Sequence, residues 1–143
     1  MVFVLGPYRV DVDVENTQAF YARASAVAEN CTCAGCRNYQ SAVSFLPHQI
    51  RQFFDALGVK LEKACEVYVV CKNPDGTLQY GGFYHIRATL LAGGDQAFAV
   101  ADSFQVSFHE DCALLDPDFP FPALQMEIFA DIPWVLSERN EYD

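Results

Sequence analysis

Apolar and polar residues alternate strictly from Tyr8 to Val14. Tyr8, Val10, Val12 and Val14 fall on one side, and Arg9, Asp11 and Asp13 on the other. A period of two places alternate side chains on opposite faces of a strand, so this segment reads as a half-buried strand. The period then lengthens. Asn16 suits a helix N-cap, and Phe20, Ala24, Val27 and Ala28 recur at helical spacing, which predicts a helix ending near Asn30. A second helix is expected from about Cys36, with Tyr39, Val43 and Leu46 on one face. Pro47 ends that helix or opens the next. Ile50, Phe53, Phe54 and Leu57 follow at i, i+3, i+4 and i+7, and Gly58 is a natural stop.

The pattern then shortens to strands. Glu66 to Lys72 is β-branched and aromatic, and Asn73-Pro74-Asp75-Gly76-Thr77 has turn chemistry: proline fixes one φ and glycine accepts a positive one. Gln79 to Leu91 is the returning arm. Pairing Asn73 with Thr77 sets Tyr68 opposite Gly82, where an aromatic ring can shield a strand glycine. Gly81-Gly82 therefore reads as a bulge or a close backbone approach rather than a ligand loop. Gly93-Gly94-Asp95 is another turn, and Phe104, Val106 and Phe108 point inward from a further strand. Three prolines make Asp116 to Pro122 irregular. Leu124, Met126, Ile128 and Ala130 mark the last strand. Pro133-Trp134-Val135-Leu136 closes the fold, and Ser137 to Asp143 reads as a fraying polar tail.

Helices early and strands late imply one α+β domain over residues 1–143, with the N-terminal strand and helices packed on one face of an antiparallel sheet. Length and composition agree. A chain of 143 residues, 52% apolar and 14% aromatic, can bury one core. No apolar run approaches the roughly 20 residues of a membrane span. The first residues lack the basic and apolar regions of a signal peptide, so the expected compartment is the cytoplasm. Thiols there stay mostly reduced, and six cysteines need not form disulfides.

Charge is unevenly placed. Residues 1–87 hold eight acidic and eight basic side chains, whereas residues 88–143 hold eleven acidic and one basic, Arg139. The second half thus carries the whole net charge of −10. Such a surface repels a phosphate backbone, which argues against nucleic-acid binding, and it would steer a basic protein partner. An acidic face that only keeps the chain soluble is the simpler alternative.

Cys31, Cys33 and Cys36 crowd into six residues. Three thiolates suit zinc, which needs a fourth ligand. Cys112 and His109, three residues apart, are candidates for it, as are Cys65, Cys71, His48 and His85. Reduced, partly buried thiols and Cys33–Cys36 disulfide exchange are the alternatives, although a redox Cys-x-x-Cys normally follows a strand rather than a helix. His85 could pair with Cys65 or Cys71 as a nucleophilic dyad, but a strand histidine bonded in a semi-polar core is the plainer reading. Phosphate-loop, dinucleotide and serine-hydrolase signatures are absent, so no catalytic residue is assigned and the chain does not read as an enzyme.

The segments Cys31-Thr-Cys-Ala-Gly-Cys-Arg-Asn-Tyr39, Tyr80-Gly-Gly-Phe-Tyr-His-Ile86 and Pro133-Trp-Val-Leu136 resemble a family of small uncharacterised bacterial proteins, from about Tyr8 to the C-terminus. That resemblance implies no activity and brings no site residue to this chain. Two functions therefore stand as expectations. One is a small acidic cytoplasmic binding protein, for instance an immunity-type or regulatory partner of a basic protein. The other is a zinc-binding or thiol-redox protein built on the three cysteines.

Overall fold

The computed structural model describes residues 1–142. Strands β1 (Val2–Leu5) and β2 (Tyr8–Val12) form a hairpin. Four helices follow: α1 (Val14–Arg23), α2 (Val27–Asn30), α3 (Ala34–Ala42) and α4 (His48–Leu57). Strands β3 (Glu66–Lys72), β4 (Leu78–Ala92), β5 (Phe98–Ala101), β6 (Phe104–His109) and β7 (Ala123–Ile132) complete the chain. The sheet is antiparallel and runs β1-β2-β4-β7-β6-β5, with β3 pairing only with β4. This is the expected α+β architecture.

Helix α4 presents Ile50, Phe54 and Leu57 to the sheet, all buried. The Phe54 ring meets Tyr84 of β4 at 5.0 Å and Phe104 of β6 at 5.6 Å, both edge-on. Leu124, Met126, Ile128 and Ala130 of β7 and Phe104, Val106 and Phe108 of β6 line the same core, as their alternation requires. Gly58 stops α4 at φ +84°, in the left-handed region. The sheet curls enough to bring β2 against β5 and β6: the Tyr8 hydroxyl donates to the Gln96 carbonyl at 2.6 Å, and its ring packs against Phe98 and lies edge-on to Phe108. The opposite face carries Phe83, His85 and Gln125 beneath residues 110–122, where Phe119 packs against His85 and Phe20.

Several boundaries differ from the pattern-based reading, each for a local reason. The first strand ends at Val12, and Asp13 rather than Asn16 caps α1, accepting from the Asn16 backbone N–H at 3.0 Å. The alternation of Asp13 and Val14 belongs to the cap and first turn, not to the strand. The helix expected to reach Asn30 breaks at Ala24 to Ala26, where Ala24 and Ala26 are extended. Lys63 donates to the Tyr21 carbonyl at 2.7 Å, and Gln40 accepts from the Ala28 N–H at 2.9 Å, so tertiary partners take over backbone groups that a longer helix would use. Strand β1 gave no periodic signal of its own. A register shift between Val69 and Cys71 places Tyr68 opposite Gly81 instead of Gly82, although Asn73 does pair with Thr77. The expected fraying tail is instead docked through residue 142: Asn140 is buried, and Tyr142 packs against Trp134 at 6.4 Å. Asp143 lies outside the described residues.

Candidate metal and thiol centre

The three cysteines sit at the joint between two helices. Cys31 ends α2, Cys33 is the N-cap of α3, and Cys36 lies in the first turn of α3. An N-cap side chain accepts a backbone N–H near the helix start, and here the Cys33 sulfur accepts from the Cys36 N–H at 3.4 Å. The turn required to enter α3 brings Cys31 back over Cys33, and their Sγ atoms are 3.3 Å apart. All three sulfurs lie within 4.8 Å of one another. Cys31 and Cys33 are exposed, while Cys36 is buried and points toward the Val67 carbonyl of β3.

Their environments differ accordingly. The Cys33 backbone N–H, then the Cys33 and Cys36 side chains, stabilise the Cys31 thiolate and lower its pKa. Burial pushes the Cys36 thiol well up, and the neighbouring sulfurs add to that. Beneath the sulfurs lies a firm base. The Tyr80 hydroxyl donates to the Gly35 carbonyl at 2.7 Å, and Asn38 donates to the Tyr80 hydroxyl at 3.3 Å. Burial raises the Tyr80 phenol to about 12. A Cβ on Gly35 would stand 3.1 Å from the Tyr142 hydroxyl and 3.3 Å from Val69 Cγ2, so α3 sits close to the C-terminal segment because residue 35 has no side chain.

That segment is the part of the site that sequence reasoning missed. Asn38, fully buried, donates to the Pro133 carbonyl at 3.1 Å and accepts from the Val135 N–H at 2.8 Å. Arg37 pairs with Glu138 and also donates to the Thr32 carbonyl at 3.0 Å. Arg37 and Asn38 follow the last cysteine directly, but nothing in a linear pattern links them to residues about a hundred positions later.

The other predicted residues are placed elsewhere. Among the described residues, no fourth Cys, His, Asp or Glu joins the three-sulfur group. His109 contacts Ser107 at 2.9 Å and Glu127 at 3.4 Å, and Cys112 donates to the Glu110 carbonyl. Both line a separate cleft of about 630 Å³ with Asp95, Glu110, Asp111 and Glu127. His48 opens α4, and Cys71 donates to Gln79 on the sheet. Cys65 and His85 line one cavity of about 270 Å³ but use different partners: Cys65 donates to the Leu114 carbonyl, and the His85 Nε2 meets Gln125 at 3.2 Å. Burial raises Cys65 to about 11 and lowers His85, so neither group is primed as a nucleophilic dyad.

No helix among the described residues is long and apolar enough to cross a membrane. No protein-family model, curated protein or solved structure matches the chain.

Proposed function

We propose that this is a metal-binding protein in which Cys31, Cys33 and Cys36 hold one thiophilic ion, zinc foremost. The observation that carries the reading is the span of the three sulfurs, from 3.3 Å to at most 4.8 Å. Zinc–sulfur bonds of about 2.3 Å in a tetrahedron require sulfurs about 3.8 Å apart, which falls inside that span. Three protein ligands leave one position open, the arrangement of a site that exchanges its ion or admits a further ligand rather than one closed for structure alone. Reduced thiols of this kind suit the cytoplasm.

The test is native mass spectrometry of reduced protein titrated with zinc, alongside cobalt(II) absorption. One ion per chain and a thiolate-to-cobalt charge-transfer band are expected, with both lost in Cys33→Ser. A chain that stays metal-free at stoichiometric zinc would defeat the reading.

A second reading has an observation of its own. Asp95, Glu110, Asp111 and Glu127 share one cleft, and no Lys or Arg lines it. A basic protein partner, as an immunity-type or regulatory protein would have, fits that charge. Binding of a lysine-rich peptide should weaken steeply with salt and with Glu110→Gln plus Asp111→Asn. Equal binding by the double variant would remove the cleft from consideration.

A further inference from the structure

Cys33 and Cys36 have a relationship that a shared metal ion does not require. One is the exposed N-cap of α3 and the other is buried in the helix's first turn, three residues on. Helical rise and radius place Cα atoms at that spacing about 5 Å apart. A disulfide accepts Cα separations of about 4.4–6.8 Å. The helix start is thus a place where a bond between Cys33 and Cys36 closes without moving the backbone.

We infer that Cys33 and Cys36 form a dithiol that exchanges with low-molecular-weight disulfides. The Cys33 thiolate attacks one sulfur of RSSR, whose S–S bond breaks; RS⁻ leaves and takes up a proton from solvent, and Cys36 gives its own proton to solvent as it ionises. The Cys36 sulfur then attacks Cys33 in the mixed disulfide, and the second RS⁻ leaves and takes up a proton from solvent. The Cys33 thiol itself gives its proton to solvent on ionising, so the balance is two protein thiols oxidised to one disulfide and RSSR reduced to two RSH. Exposure suits Cys33 to meet the incoming disulfide. Burial suits Cys36 to act second, because only an already attached sulfur reaches it. The docked C-terminal segment, held at Arg37 by Glu138 and at Gly35 by Tyr142, fixes the helix start from which both sulfurs project. This inference goes beyond metal binding, and its test uses protein stripped of metal by a chelator, so either can fail alone.

Trypsin releases residues 24–37 as one peptide containing all three cysteines. In Cys31→Ser, only Cys33 and Cys36 remain in it. The variant is treated with oxidised glutathione, quenched by alkylation at timed intervals and digested. The peptide should appear about 2 Da lighter than the reduced form and free of alkyl groups, because two hydrogens have been lost. Closure should be at least about tenfold faster than glutathione addition at Cys71, an exposed single thiol on β3 that serves as internal reference. In Cys36→Ser, the same peptide should instead accumulate a glutathione adduct on Cys33. A doubly alkylated or glutathione-bearing peptide in Cys31→Ser would overturn the inference. So would closure no faster than the Cys71 reaction, or a Cys31–Cys33 bond formed by Cys36→Ser.

Discussion

The Tyr21 hydroxyl makes both backbone hydrogen bonds of His85: it donates to the His85 carbonyl at 2.7 Å and accepts from the His85 N–H at 3.1 Å. Strand β3 stops pairing with β4 at Phe83 and β2 starts at Ala88, so this stretch of the β4 edge has no strand beside it. Thr17 fills the next place, accepting from the Arg87 N–H at 3.0 Å. Helix α1 therefore continues the sheet with side chains. Tyr21→Phe keeps the ring but leaves a buried donor and a buried acceptor unpaired. Such groups cost about 1–3 kcal/mol, so urea denaturation should show a loss in that range. A loss below about 0.5 kcal/mol would mean that water replaces the hydroxyl.

Gly81 and Gly82 differ in what surrounds them. A Cβ on Gly81 would meet the far end of the Tyr68 ring at 2.6 Å, whereas one on Gly82 would meet the Glu66 carbonyl oxygen at 2.5 Å. Tyr68 is half-exposed and can swing aside; the β3 backbone cannot move without losing its ladder. Gly82→Ala should therefore cost about 2 kcal/mol or more, and Gly81→Ala should cost less. Thermal melts of the two variants decide it, and equal losses would show that the Tyr68 ring is fixed in place.

These cases also show what a linear pattern can and cannot convey. Phe104, Val106, Phe108 and the β7 residues announced their faces because a period of two needs no partner to be read. The stop at Gly58 was equally local. The break after Arg23 was not, because it depends on Lys63 and Gln40 arriving from later elements. The one-residue error at Tyr68 came from a bulge, which alters register without altering composition. At the site, the crowding of three cysteines was visible, but its convergence depended on the turn between α2 and α3. Its support by Glu138 and Tyr142 was a contact across the whole chain.

The cap of α1 gives a pH dependence. Hydrogen bonds from the Asn16 side chain and backbone lower the Asp13 pKa, and Arg87 lowers it further. A carboxyl with a depressed folded pKa contributes stability above its unfolded value of about 3.9, and loses it as pH falls through the folded value. Asp13→Asn retains a capping oxygen and cannot titrate. The drop in melting temperature between pH 6 and pH 3 should therefore be smaller in Asp13→Asn than in the parent. An unchanged drop would assign the acid sensitivity to other carboxylates.

Zinc should stabilise the folded chain by mass action, since the three sulfurs converge only when α2 and α3 are formed. At free zinc one hundred times the dissociation constant, the gain is about 2.7 kcal/mol. Melting with zinc and again with excess chelator should show a reversible upward shift that Cys36→Ser abolishes. A shift that survives in Cys36→Ser would point to a different ligand set.

Trp134 is the sole tryptophan and donates from its indole N–H to the Glu138 carbonyl at 2.9 Å, within the segment that docks on α3. Asn38 holds the start of that segment from both sides, at the Pro133 carbonyl and the Val135 N–H. Replacing Asn38 by Ala removes both bonds and leaves the Tyr80 hydroxyl without that donor. The expected cost is about 1–3 kcal/mol. Undocking would also move the indole from its contact with Tyr142 into water, so Asn38→Ala should red-shift and weaken Trp134 emission before global unfolding begins. If stability falls while emission stays as in the parent, Asn38 supports the core beneath α3, and the C-terminal segment is held by Arg37 and Tyr142 without it.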